Sequence, residues 1–447
     1  VIQYKPLLFG LYDVSPKSVQ FRDRHKAWGF HLWFELTLDE RVDPMEARSK
    51  FAALTEIEIA ELAIKKVKIQ HVSTDVENPD PGIKKGNQET RGRWTPDDPR
   101  YDEQWHYHNT GQQGGTTDKD IDLPEAWDIE KGHADVIVAV IDGGVQYDHP
   151  DIAANMWPGI GPDGTATLSD DHGSHVAGTI AAVTNNSTGV SGIAGGTGSG
   201  NGVRIMSIDL FNGSHGLSVL GMMTYAADNG AAISQNSWGY GSPGNYVQNE
   251  IDGIDYFNAN GGGIVLDGGI TIFAAGNDNS DAEWWPGYYS GAMSVAATTN
   301  QDEKAYYSNY GSWITISAPG GETISVTERG VLSTLNGSGY TFYQGTSMAC
   351  PHVSGVAALL VSYAYRNDYI MQNTELWNLL VDNVDDHYPQ NPTYTGELGS
   401  GRLNAHLALG ALDDLVNGVH NPAAFAATPV SVSRIDLGWT KNADNND

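Results

Sequence analysis

Between about residues 95 and 415, short apolar runs alternate with stretches of helical spacing. Residues 136–141 are purely aliphatic and have the length of a buried strand. The same reading predicts strands at 203–210, 233–237, 270–274, 293–297 and 314–317. It predicts helices at 173–183, 221–229 and 347–365, the last carrying Val353, Val356, Ala357 and Leu360. Repeated strand–helix alternation implies an α/β fold in three layers, a mostly parallel sheet with helices on both faces.

The flanks have a different texture. Residues 1–78 are rich in charge and poor in glycine. There, 30–37 reads as a strand, 44–54 as a short helix, and 56–69 alternates and reads mostly as strand, giving a small α+β domain. Residues 79–94 lie in a polar stretch with Pro79, Pro81, Gly82, Gly86 and Gly92 and the basic clusters Lys84-Lys85 and Arg91-Gly92-Arg93. That composition predicts an exposed, cleavable linker. Residues 416–447 read as a linker followed by alternating segments at 430–433 and 435–439. These resemble the opening strands of a fibronectin type III module, although some 27 residues cannot complete such a sandwich.

Composition narrows the function classes. The 447-residue chain has a formal net charge of −30. That argues against nucleic acid or an anionic membrane surface as the main partner, since both need a basic face. No run of about 18 apolar residues suggests a membrane span. A single cysteine, Cys350, excludes an internal disulfide. The chain starts at Val1 with no charged-then-apolar leader.

Three segments carry candidate chemistry. Asp142 follows the aliphatic run directly and precedes Gly143-Gly144, so it falls at the C-terminal end of a strand, where open parallel sheets place their sites. A simple Asp–Gly turn reads equally well there. His172-Gly173-Ser174-His175-Val176-Ala177-Gly178-Thr179 opens a helix. The two histidines are three apart rather than four and no glutamate follows His172, so the zinc-helix pattern is not met. Gly345-Thr346-Ser347-Met348-Ala349 sets a serine at the start of the long helix, at the positive end of its dipole. An ordinary N-cap is the plain alternative. The elbow motif of α/β-hydrolases is missing at this serine.

The order Asp142, His172, Ser347 supplies an orienting carboxylate, a base and a nucleophile for acyl transfer. These segments, with Pro351-His352-Val353, resemble the three signature segments of the subtilase family over roughly residues 95–415. The resemblance implies a subtilisin-like serine endopeptidase that acts on polypeptides through an acyl-enzyme. It makes Asn277, in Ala274-Ala275-Gly276-Asn277, an oxyanion donor beside the Ser347 backbone N–H. Ser237, Trp238, Gly239 and Gly276 become the residues that receive an extended substrate. Two departures stand out: Gly143 occupies a position where the family usually has Ser or Thr, and Ser174 replaces a usual Thr.

The resemblance also implies a structural calcium ion held by Gln104, Asp151, Thr184, Asn186, Thr188 and Val190, a set of oxygen donors suited to a hard cation. A plain polar loop at 184–190 is the alternative. Residues 1–78 resemble a subtilase propeptide, loosely, through Val42-Asp43-Pro44-Met45-Glu46-Ala47-Arg48 and the segment 57–69. That unit would act as an intramolecular inhibitor with its tail in the cleft, on a monomeric, secreted or cell-surface enzyme. A binding-only relative on the same fold is the rival reading. The presence of all three reacting residues and Asn277 speaks against it.

Overall fold

The computed structural model describes the chain except residues 1–2, 9, 70–92, 160, 162–168, 212–215, 419–423, 432–433 and 441–447. The predicted linker 79–94 therefore lies almost wholly outside the described residues.

The amino-terminal region is less sheet-rich than its alternation predicts. Gln3–Pro6 pairs antiparallel with Phe34–Thr37, and a helix forms at Pro44–Ala52. Asp43 caps that helix with its side chain on the Met45 and Glu46 N–H groups, and Pro44 stands at its first position. The expected strand over 56–69 shrinks to Lys66–Lys68 (β1). Residues 57–65 have no ladder partner, and alternation without a partner does not make a strand. Only the last residues of the segment, Lys66–Lys68, meet a strand to pair with, Trp238–Tyr240.

The rest builds one large sheet. Its strands are β2 (Ile137–Asp142), β3 (Arg204–Asp209), β4 (Ile233–Asn236), β6 (Ile270–Ala274), β7 (Met293–Thr298), β8 (Ile316–Pro319), β9 (Val384–Asp385) and β10 (Arg402–Leu403); β5 (Trp238–Tyr240) stands apart from it and pairs antiparallel with β1. The sheet order is β9-β10-β8-β7-β6-β4-β2-β3. Every neighbouring pair is parallel except the edge strand β9. The central strands are almost wholly apolar and buried, as a parallel sheet covered on both faces requires.

Helices α1 (Asp171–Ala181) and α4 (Thr346–Arg366) pack against the sheet and against each other, while α2 (Val219–Asp228) and α3 (Gln248–Asn260) pack together in a second apolar cluster with β3 and β6 residues. The three-layer arrangement is the one the alternation predicts. By length and mean hydropathy α4 is the one helix among the described residues apolar enough to cross a membrane, and its apolar stretch is wholly buried in the core.

The chain leaves β2 in one direction to reach β3 and returns to β4 on the other side. The sheet therefore switches direction between β2 and β4, and the C-terminal ends of these strands open a crevice. Asp142 ends β2, and β5 begins two residues after β4. The amino-terminal region lies over α2 and α3. Arg24 and His25 both meet the buried Asp228, at 2.9 and 3.0 Å, and Trp33 donates its ring N–H to Asp252.

Candidate active site

Asp142 and His172 come together at the crevice floor, both buried. The imidazole Nδ1 stands 2.8 Å from one Asp142 oxygen and 3.0 Å from the other. A nitrogen that close to a carboxylate carries the proton, so Nδ1–H donates and Nε2 is left as the basic atom. Asp142 also accepts the Gly143 N–H at 2.7 Å. Helix α1 can bring His172 this near because Gly173 has no side chain; a Cβ there would strike the Gly144 carbonyl.

The missing side chain at position 143 has a reason in the fold. A Cβ on Gly143 would collide with the carboxylate of Asp170. Asp170 caps α1 by accepting the Gly173 N–H at 2.7 Å. The departure from the family pattern is thus paired with an acid that fills the vacated space.

Ser347 is held at the first turn of α4 by a chain of polar contacts. Gly345, at φ 150°, delivers the chain into the helix. Pro351 has no N–H to give the carbonyl four residues back, which is that of Ser347. The Ser237 hydroxyl donates to that carbonyl instead, at 2.9 Å, and so ties the nucleophile's backbone to the start of β5. Cys350 is buried nearby, its thiol pushed up to about 12 by burial, and has no nucleophilic character there.

Asn277 is oriented by Thr346. Its Oδ1 accepts both the Thr346 N–H, at 3.0 Å, and the Thr346 hydroxyl, at 2.8 Å. With the oxygen so engaged, the NH2 is the end of the amide that can donate, and Asn277 lines the cleft. Gly276, at φ 107°, has no space for a side chain, because a Cβ would meet the Asn309 amide.

The cleft is filled by the chain itself. Lys66, Val67 and Lys68 pair with Tyr240, Gly239 and Trp238. Ile69 extends the ladder, its N–H donating to the Ser237 carbonyl at 3.3 Å. The Ser347 hydroxyl donates to the Ile69 carbonyl oxygen at 2.7 Å. Ile69 is buried, with Gly239 beside its side chain. The surrounding cleft, about 700 Å³, is also lined by Phe211, Asn277, Asp278, Trp284 and Trp285. Trp238 contributes its backbone to the ladder. Its ring is buried against Phe273, and its N–H donates to Asn236.

The calcium set is brought together without being opened to a cation. Burial pushes the Asp151 carboxyl up to about 7, so this group is short of positive charge. Yet its oxygens accept the Asn186 amide N–H at 2.8 Å and the Val190 backbone N–H at 2.9 Å, with the Tyr340 hydroxyl bonded to it as well. The Asn186 oxygen takes the Thr188 N–H, and the Gln104 oxygen takes the Ser191 N–H. Calcium wants six to eight oxygens aimed at it. Here the Gln104, Asp151 and Asn186 side-chain oxygens are engaged by hydrogen-bond donors of the protein itself. Among the described residues no group of three His, Cys, Asp or Glu side chains is placed to hold a metal.

Two residues of the cleft were not anticipated from sequence. Asp170 pairs with Lys68, and Glu250 pairs with Lys66. The signal was the lysine alternation of the tail itself, which only gains meaning once the tail is known to lie in the cleft.

This arrangement is that of a serine-type peptidase on an α/β sheet. The chain belongs to the subtilase family, whose profile matches residues 133–401. It is 35% identical over 319 residues to thermitase of Thermoactinomyces vulgaris, a match covering 71% of this chain and 99% of thermitase. It is 35% identical to a thermophilic serine proteinase of Bacillus sp. strain AK1, covering 63% of each chain. The extracellular basic protease of Dichelobacter nodosus is 31% identical, covering 78% of this chain and 62% of that protein. The last two relatives are thus spanned over less than two thirds of their length. Among solved structures, a protease of Pseudoalteromonas arctica superposes with a TM-score of 0.55 at 31% identity, covering 71% of this chain and all of that one.

Proposed function

We propose that this subtilase hydrolyses peptide bonds with Ser347 as nucleophile, His172 as general base and acid, Asp142 as its orienting partner and Asn277 as oxyanion donor. Ser347 Oγ adds to the carbonyl carbon while its proton passes to His172 Nε2. The carbonyl oxygen becomes an anion facing the Asn277 amide and the Ser347 N–H. Collapse returns the electron pair, expels the amine with the proton from His172, and leaves an acyl-enzyme that water then hydrolyses. Ser237, Trp238 and Gly239 receive the substrate as an added strand, with Gly276 leaving room on the other side.

One observation carries the reading: the Ser347 hydroxyl lies 2.7 Å from the Ile69 carbonyl oxygen, with the preceding residues already in antiparallel pairing on β5. The amino-terminal region is then a tethered inhibitor, presenting Ile69–Gln70 as a bond to be cut. That bond lies upstream of residues 79–94, where linker composition alone would put the cut. Relatives named as extracellular proteases support a secreted enzyme.

The test is self-processing. Active protein is expected to yield a fragment ending at Ile69, and Ser347→Ala to remain intact and folded, as read by mass spectrometry and a melting curve. Processing at Ile69 by the purified Ser347→Ala protein would overturn the assignment.

A further inference from the structure

The tail does more than block the cleft, because its two lysines meet acids that belong to the cleft. We propose that Asp170 and Glu250 are specificity-determining residues, which make this cleft select peptides with a basic residue at the second and fourth positions before the cleaved bond. The inference rests on the reading of the cleft as a peptidase site, with Ile69 at the first position, Lys68 at the second and Lys66 at the fourth.

Glu250 stands in the first turn of α3 and is 3% exposed. One oxygen accepts the Tyr240 hydroxyl at 2.8 Å, and the other pairs with Lys66. Tyr240 is a β5 residue in register with Lys66 and is itself buried. The acid thus sits behind the strand that receives substrate, and the ammonium that answers it comes from the segment in the cleft. When that segment leaves, Lys66 leaves with it. A buried carboxylate left without its cation is strongly unfavourable, so the next peptide that brings an ammonium or guanidinium to the same place is favoured.

Asp170 is a different kind of acid, with a side chain 24% exposed. One oxygen is committed to the cap of α1, and the other faces Lys68. Lys68 also lies 5.1 Å from the centre of the Phe211 ring, a cation–π contact that receives the same charge. Gly143 is what gives the Asp170 carboxylate its room, so the pocket for the second position is built from two places in the sequence. An apolar residue at the first position, where Ile69 is buried, completes the pattern.

Four chromogenic peptides test this on the self-processed wild-type enzyme: Lys-Val-Lys-Ile p-nitroanilide and its versions with norleucine at the fourth position, the second, or both. Norleucine keeps the side-chain length and removes the charge. Loss of a charge-assisted bond to a buried acid is expected to lower kcat/KM about ten- to hundredfold at the fourth position. The half-exposed pair at the second position is expected to give about two- to fivefold. Glu250→Gln is expected to abolish the fourth-position preference and keep the second, and Asp170→Asn, which retains a capping side chain, the reverse.

Equal cleavage of all four peptides by the wild-type enzyme overturns the inference and leaves the peptidase reading standing. That outcome would assign both acids to holding the amino-terminal region alone. A preference that survives Glu250→Gln overturns it equally. Hydrolysis of none of the four would overturn this inference, whereas failure of the wild-type chain to process itself would overturn the peptidase reading. The wild-type comparison needs no variant, so it decides the matter even where a substitution fails to fold.

Discussion

The substrate cleft and the loop of residues 184–190 each enclose a buried carboxylate, and they do it in opposite ways. In the loop, Asp151 is closed by Asn186, Val190 and Tyr340, all parts of the same body. In the cleft, Glu250 keeps one internal partner, Tyr240, and takes its other from Lys66 of the seated tail. A carboxylate whose partners cannot leave contributes to stability. One whose cation arrives and departs can sort what arrives. The difference lies in who owns the partner, since both acids are well buried.

If the cleft is built for exchange, substitutions there should change rates and leave the melting temperature alone. The largest effect is expected at Asn277. Its Oδ1 is held by Thr346, so in the proposed mechanism Asn277→Ala removes the donor to the developing anion. A fall in kcat of about 10²–10³, or about 2.7–4 kcal/mol, is expected, with KM nearly unchanged. That magnitude is the one known for the corresponding donor in subtilisin and does not come from this geometry. Lost stability with kcat preserved in the folded fraction would make Asn277 a structural residue, and the cleft would then resemble the loop.

What could be read from sequence follows the same division. Asp142, His172 and Ser347 were legible because each sits where local structure exposes it, at a strand end or a helix start, inside a short motif. The main strands and helices were legible within a few residues because apolar runs of strand length alternate with helical spacing. The strand expected over 56–69 was not, because only Lys66–Lys68 finds an edge to pair with. Asp170 and Glu250 were hidden for a related reason. Their partners lie 102 and 184 residues away, and no local pattern reports on a pairing at that distance. For the calcium set the open question is orientation: nothing in the loop's sequence tells which way the Asn186 amide turns, or that Tyr340 reaches Asp151.

A second way to sharpen the contrast is pH. Burial raises the Glu250 carboxyl above its ordinary 4.5, while Lys66 pulls it down and the nearby Glu61 pushes it up. Tyr240, the remaining group against it, is itself held protonated by burial and by Glu250. A carboxylate attracts an ammonium only when ionised. As the pH falls through a raised pKa, the charge is lost earlier than on an exposed acid. The fourth-position preference for lysine over norleucine should therefore fade on acidification, starting above pH 4.5, while cleavage of the doubly norleucine peptide keeps its own profile. A preference constant down to the ordinary carboxylate range would show that Glu250 is not the group that reads the lysine.

The smallest expected effect is none, and it concerns the loop. Because Asp151 already takes hydrogen bonds from Asn186, Val190 and Tyr340, the melting temperature is expected to be the same with and without a chelator. Asp151→Ala supplies the positive control. It leaves the Val190 N–H, the Asn186 amide and the Tyr340 hydroxyl without their acceptor in a buried place, at a cost of about 1–3 kcal/mol per group left unsatisfied. It should therefore lower the melting temperature while leaving the peptide preferences intact. A ligand that binds only the folded chain raises its stability with concentration. A melting temperature that falls on chelation and returns with added calcium would mean that the Asn186 amide turns and the loop opens its oxygens to the ion. In that event Asp151, like Glu250, would have a partner that can leave, and the contrast between the two regions would be lost.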